Sequence, residues 1–367
     1  MKRLEITLIS SKIFPLHSDG GTAFTTYEQA SALAKEMDVD VSVLLFSGED
    51  RQESISKVIK KFDLRWVSNF NFLSELKNEI SRSDVLWIHS AFKWQEFFFL
   101  IFLVRKPRVV WWSAHGSLDK LLINSSIRKW LYTHFFIRFL ARFITHYICN
   151  SSGERSKLPF FLRHKARVVT NLAPKHTLAL EGSMAPLERE CCVVPQSRYF
   201  LFLGRLTSKK RVIDTVAWFE REYLESDRSL VIVGPPESDK YAAEVSRAIE
   251  CSPCKQRIVF HPRSVKGETK IRLIEGADAI VLFSESEGLP VAILEALQLG
   301  TKAICSPQCN VPGSDYVFVS SIQAYSALVV ESFLSKDVSE VPVPDIGRVQ
   351  LNNLIADLNG WVVNENT

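Results

Sequence analysis

Short, largely apolar strand-like runs, separated by segments long enough to hold crossover helices, recur along both halves of this chain, and that rhythm calls for parallel sheets. In the first half the runs are Leu4–Ile9, Val39–Phe46, Val85–His89, Arg108–Ser113, Tyr147–Asn150 and Ala166–Thr170, with a helical pattern over Thr22–Glu36. In the second half they are Tyr199–Leu203, Leu230–Val233, Arg257–Phe260, Ala279–Phe283 and Lys302–Cys305, with helices expected over Arg211–Tyr223 and Pro290–Leu299. Between the halves, Leu172 to Ser197 loses the pattern and gathers Pro174, Gly182, Pro186 and Pro195, as a linker does. The expected organisation is an α/β chain with one domain over 1–172, a linker over 173–197, a second domain over 198–350, and a terminal stretch over 351–367 that packs back on the first domain. Both domains are expected to be Rossmann-like and doubly wound, facing a central cleft, with ligands at the carboxyl ends of the strands.

A chain of 367 residues, 46% hydrophobic and 23% charged, has the size of two cores and the composition of a folded protein. Seven cysteines, with Cys251 and Cys254 as a single CxxC, fit a reduced compartment better than a disulfide framework, and no second pair completes a zinc site. The opening Met1–Ile9 is too short in its apolar part for a secretory leader and reads as a first strand. No stretch reaches about eighteen uncharged apolar residues, so a membrane span is not expected.

The chemistry concentrates around two carboxylates. Glu287 falls in a loop at the end of the Ala279–Phe283 strand, and Glu295 lies eight residues on, inside the helix that Pro290 begins from its first position. Ionised carboxylates accept several hydrogen bonds and can grip sugar and ribose hydroxyls, while the open N–H groups of the helix start suit phosphate oxygens. On spacing alone the pair reads equally as a helix-start acid and an ordinary surface glutamate.

Residues 277–306, from the run A-D-A-I-V-L-F-S through E-G-L-P-V-A-I-L-E to A-L-Q-L-G-T-K-A-I-C-S, resemble the E-x7-E signature of the retaining glycosyltransferases of family 4, which have the GT-B fold. The resemblance places Glu287 near a donor sugar, Glu295 on the nucleotide ribose, and the main chain of Gly288, Leu289, Pro290 and Val291 against the sugar and diphosphate. Phe202–Arg211 is similar to the family's G-R-L-x-x-x-K-G turn, which implies that Arg205 and Lys210 bind the phosphates; Arg211 stands where the family has glycine. Pro15–Thr22 matches the family's glycine-pair loop, with Gly20 and Gly21 allowing close approach of the donor. Val109–Ser117 is similar to a strand ending in His-Gly, which implies that His115 hydrogen-bonds the transferred sugar. Asn150–Ser152 and Val169–Asn171 match positions that serve as scaffold. The likeness is dense over 199–306 and sparse over 1–172, and it gives no ground for contacts from Ser306–Pro312, which replaces a glycine-rich turn. Asp38-Val39-Asp40 reads as D-x-D but sits at the start of a Val-rich strand, so it is taken as strand-edge polarity, and a metal-independent reaction with no cofactor is expected.

The net charge of +4 hides an uneven spread: residues 101–170 hold thirteen Lys and Arg against Asp119 and Glu154. Trp130, His134, Arg138, Arg142 and His146 recur every four residues and are expected to form a slowly drifting stripe on one helix, with Phe92–Val104 as a further apolar patch. A basic, aromatic helix of this kind suits an anionic membrane surface, with a core helix edged by solvated arginines as the alternative. No nucleic-acid-binding pattern accompanies the charge.

These residues and the resemblance together lead to the expectation of a retaining hexosyltransferase using a nucleoside diphosphate sugar, UDP rather than GDP. Its acceptor would be a glycan carried on a polyprenyl diphosphate at the cytoplasmic face of a membrane, in surface polysaccharide assembly. A nucleotide-sugar epimerase on the same fold and a non-catalytic sugar-nucleotide or membrane-binding module are the alternatives.

Overall fold

The computed structural model describes residues 3–10, 21–36, 39–45, 63–66, 82–89, 109–124, 126–172, 174, 195, 197–336 and 350–356. Contacts divide the chain into two compact units, Met1–Leu172 with Asp345–Thr367, and Ala173–Pro344.

The first unit holds a seven-stranded sheet in the order β3-β2-β1-β4-β5-β6-β7. Its strands are β1 (Leu4–Ser10), β2 (Val39–Leu45), β3 (Asp63–Trp66), β4 (Val85–His89), β5 (Val109–Ser113), β6 (His146–Cys149) and β7 (Ala166–Val168). Every described pairing is parallel, and the order reverses between β1 and β4. That reversal explains why β4 and β5 carry no polar alternation: both strands are buried along their whole length. Strand β3 has no counterpart among the apolar runs read from sequence. Its Asp-Leu-Arg-Trp offers two apolar residues in four, too few to stand out at a sheet edge.

The second unit holds a six-stranded parallel sheet in the order β10-β9-β8-β11-β12-β13. These strands are β8 (Tyr199–Leu203), β9 (Ser229–Val233), β10 (Ile258–His261), β11 (Ala279–Leu282), β12 (Lys302–Cys305) and β13 (Val317–Val319). The order reverses between β8 and β11, so the loops following those two strands open beside the point where ligands bind in such sheets. A single core of strand side chains and the helices Val212–Tyr223, Asp239–Cys251, Gly267–Glu275, Val291–Gln298 and Ala327–Leu334 surrounds the sheet, with Trp218, Phe200 and Phe283 at its centre. Each unit is thus a doubly wound α/β sheet, as the rhythm of the sequence called for.

Two expectations need correction. The helix expected over Trp130–His146 is shorter and irregular: it runs from Ile127 to Leu140 through a π turn over Tyr132–Ile137. Arg142 lies in the following turn and His146 on β6. Lys165 Nζ donates to the carbonyls of Ala141 and Ile144 at 2.7 Å each, which satisfies the chain where the helix stops and lets it turn into β6. Pro290, expected as the first helical residue, is instead the N-cap, extended at ψ 120°, and Val291 is the first residue in the helix. The loop Phe14–Gly20, the patch Phe92–Val104 and most of the 173–197 linker lie outside the described residues.

Candidate active site

In the second unit three loops meet at the carboxyl ends of β8, β11 and β12. The first, after β8, begins at Gly204 with φ 149°, and Gly234 after β9 has φ 150°. A Cβ on Gly234 would lie 1.9 Å from Gly204 O, so the two turns touch backbone to backbone and only glycine fits there. A Cβ on Gly204 would meet Lys210 Nζ at 3.4 Å, so that glycine leaves the room into which the lysine folds back. Lys210 ends the short turn Ser208–Lys210, and Arg211 follows in the left-handed conformation, φ 52° and ψ 46°. The turn therefore keeps the shape that a glycine at 211 would give, and Arg211 is held by Asp214 through two hydrogen bonds at 3.2 and 2.9 Å. Arg205 is exposed and has no ion pair among the described residues.

Lys210 Nζ reaches Glu287 Oε1 at 3.0 Å, and both side chains are largely buried. Burial pushes the Glu287 carboxyl up, but Lys210, Lys209 and the hydrogen bonds from Lys210 and Ser284 outweigh it, so the group titrates below its ordinary value. Ser284 Oγ lies 3.0 Å from the same Oε1, and Glu285 N donates to Lys209 O at 2.8 Å, tying the second loop to the first.

The third loop fixes the backbone of the second. Glu287 N donates to Gln308 O at 3.1 Å, and Asn310, itself left-handed at φ 57°, donates its amide to Glu287 O at 2.6 Å. Gly288, Leu289 and Val291 are half-buried and Pro290 is buried. As at any helix start, the first N–H groups of Val291–Gln298 have no intrahelical carbonyl to pair with. One turn deeper, Glu295 is buried and its Oε1 lies 2.6 Å from Lys270 Nζ.

In the first unit, β5 ends at Ser113 and delivers His115, left-handed at φ 49°, followed by Gly116 at φ 76°. His115 Nε2 lies 3.2 Å from His89 Nδ1 at the end of β4, and the rings stack at 5.4 Å. Burial lowers His115 to about 4. Burial, and then the neighbouring His115, hold His89 well below its ordinary value. Behind them the buried Glu154 accepts Gly116 N at 2.8 Å and Asn150 N at 2.7 Å, which clamps the strand-end turn. Burial pushes the Glu154 carboxyl up against those two hydrogen bonds. Ser151 caps the helix that carries Glu154 by accepting its N–H. Gly21 is the first residue of the helix Gly21–Leu33, while Gly20 lies outside the described residues.

Residues 193–317 match the family of glycosyl transferases group 1, and residues 19–172 match glycosyltransferase family 4. The chain is a glycosyltransferase of the family 4 type. Among solved structures it is similar to Anabaena HepE in complex with UDP and glucose, at 13% identity and a TM-score of 0.64, covering 98% of this chain and 100% of that one. It is also similar to sucrose-phosphate synthase from Thermosynechococcus elongatus, at 16% identity and TM-score 0.67, with 99% of each chain covered. The apo lipopolysaccharide outer core galactosyltransferase WaaB matches at 15% identity and TM-score 0.55, over 96% of this chain and 99% of that one. No curated protein sequence matches the chain.

The glycosyltransferase brings Lys210, Glu287 and Ser284 into one hydrogen-bonded group in its second unit, with Arg205 on the turn that carries Lys210 and Glu295 further along the helix. His115 belongs to the first unit. Sequence reading missed Lys270, His89, Glu154 and Asn310. Asn310 lies in the turn for which the resemblance gave no ground for contacts, and it holds the Glu287 carbonyl. A left-handed asparagine after a short turn is a signal of such a role. Lys270 and His89 leave no local trace, because their partners are 25 and 26 residues away in sequence. Of the D-x-D pair, Asp40 is exposed and bridges Arg3 at 3.0 Å, and Asp38 lies outside the described residues. No described helix is long and apolar enough to cross a membrane.

Proposed function

We propose that this glycosyltransferase moves a hexose from a nucleoside diphosphate sugar, with uridine as the nucleoside, to a glycan acceptor with retention at the anomeric carbon and without a metal. The observation that carries the reading is the buried Lys210–Glu287 pair at the β8–β11 switch, a cation and a carboxylate held 3.0 Å apart beside an open helix start. On donor binding, Lys210 and Arg205 neutralise the diphosphate as the glycosidic bond breaks, Arg205 through a planar fork and Lys210 as a compact charge. Glu287 and the main chain of Gly288–Val291 orient the donor sugar, Glu295 takes the ribose, His115 hydrogen-bonds the transferred sugar, and Gly20 and Gly21 let the backbone approach it. The leaving diphosphate takes the acceptor proton on the front face. Solved neighbours holding UDP and glucose, or UDP-glucose, support the uridine reading. The likeness to a lipopolysaccharide galactosyltransferase supports a hexose and a surface glycan. The acceptor in this reading is a glycan on a polyprenyl diphosphate, met at the anionic cytoplasmic face of a membrane.

The test is a panel of nucleoside diphosphate hexoses scored for slow hydrolysis and for thermal stabilisation of the protein. Stabilisation and turnover by a uridine diphosphate hexose are expected. Preference for a guanosine donor overturns the nucleoside assignment, and interconversion of the sugar with no acceptor present overturns transfer in favour of epimerisation.

A further inference from the structure

Ile127, Leu131, Phe135 and Phe139 are 70%, 45%, 69% and 43% exposed, four large apolar side chains spaced every four residues on the helix Ile127–Leu140. In an α-helix a step of four residues overshoots one full turn by about 40°, so such a row drifts around the axis. A π turn, at about 4.4 residues per turn, undershoots by a similar amount. The π turn over Tyr132–Ile137 sits in the middle of the row, and it keeps the four side chains on one face while Thr133, Ile137 and Leu140 stay buried on the other.

Beside this row stand Trp130, 39% exposed, and the exposed cations Arg128, Lys129, Arg138 and Arg142. None of the four cations is in an ion pair among the described residues, and no acidic residue occurs between Asp119 and Glu154. Arg142 lies 5.9 Å from the centre of the Phe139 ring, so charge and apolar surface are interleaved rather than separated.

We infer that this face is the surface by which the enzyme docks on an anionic lipid bilayer, with the apolar row in the acyl boundary and the cations at the phosphates. The inference rests on the reading above that the acceptor is met at a membrane, and it narrows that reading to one helix. Charge complementarity selects the occupant. A nucleic acid would pair the cations but leave Ile127, Leu131 and Phe135 in water. A second copy docked across a twofold axis would set the same cations against each other. Only a surface with negative heads over apolar tails takes both.

The test is co-sedimentation of the full chain with vesicles of phosphatidylcholine alone and of phosphatidylcholine with phosphatidylglycerol. Binding is expected only to the anionic vesicles. Phe135→Ser with Phe139→Ser is expected to weaken it by at least roughly ten-fold, since two phenyl rings are no longer withdrawn from water on binding. Arg138→Glu with Arg142→Glu should weaken it by a similar factor. Both side-chain pairs are exposed, so the melting temperature should not move. Equal binding to both vesicle types, or wild-type binding by both variants, overturns the inference. So does a wild-type dimer that the phenylalanine variant dissolves with vesicle binding intact. Slow donor hydrolysis without vesicles should be unchanged in both variants; its absence from the wild type would count against the transfer reading and not against this surface.

Discussion

Lys210 Nζ lies 3.0 Å from Glu287 Oε1, across two loops that follow neighbouring strands of one sheet. The pair is largely buried, and Ser284 shares the same carboxylate oxygen. Removing one partner leaves the other charge without compensation, so replacements of similar volume are used to avoid adding a cavity, and the fold of each variant is checked beside its turnover. Lys210→Met and Glu287→Gln are each expected to lower kcat at least a hundred-fold, in the range of a lost transition-state electrostatic contact. Near-wild-type turnover in either variant, with the fold intact by circular dichroism, would remove the pair from the mechanism. The lowered Glu287 carboxyl sets the sign of the acid limb. The stabilisation is fully present above its ordinary range and is lost as pH falls through the lowered value, so Glu287 introduces no inflection in kcat between pH 5 and 8.

The Lys270–Glu295 pair makes a different prediction, because both groups are buried within the second unit. Lys270→Met strands a carboxylate and is expected to cost about 3–5 kcal/mol, read from the urea midpoint. Lys270→Met combined with Glu295→Met removes both charges and should recover most of that loss. If the double variant is as unstable as the single, the pair does not account for the cost.

At Arg211 the left-handed backbone costs a non-glycine residue roughly 1–2 kcal/mol, while its two hydrogen bonds to Asp214 and the unfolded-state entropy of glycine act the other way. Arg211→Gly is therefore expected to change stability by less than about 1 kcal/mol and to leave the KM for donor within two-fold. Arg211→Val, which cannot relieve the strain and gives up the pairing, should be clearly less stable. Equal melting temperatures for the two variants would show that the turn does not hold this backbone in place.

Much of this was legible from sequence because it is local. Glu287 and Lys210 each lie in a short loop directly after a buried strand, and parallel strands put such loops on one side of a sheet whatever the intervening helices do. The partners that complete the site were not legible. Lys270 reaches Glu295 from another helix, His89 meets His115 only because β4 and β5 are neighbours, and Asn310 follows a turn with no family likeness. The helix after Trp130 was misread because an every-four pattern was assigned to a regular α-helix, whereas the π turn changes the period midway and Lys165 ends the helix early. The strand Asp63–Trp66 was missed since an edge strand of four residues shows too little periodicity.

His89 and His115 give the last prediction. Both are neutral in the folded protein, His115 lowered to about 4 and His89 well below 6.5, with burial the first cause for each. The unfolded chain takes up protons on both near pH 6.5, so their stability is present above that value and drains away as pH falls toward 4. Glu154, held above its ordinary value, works in the opposite sense over the lower part of this window. Comparing variants isolates the histidines. In His89→Gln one such group is gone, and the loss of stability between pH 7 and 5 should shrink by about 2 kcal/mol, since one proton contributes roughly 1.4 kcal/mol for each pH unit below about 6.5. If His89 also fixes the ring of His115, kcat should fall while the donor KM stays near wild type, and His89→Asn, whose shorter amide cannot reach Nε2, should fall further. An unchanged pH slope in His89→Gln would mean that His89 takes up its proton at the same pH in the folded and unfolded chain, so that burial does not hold it neutral.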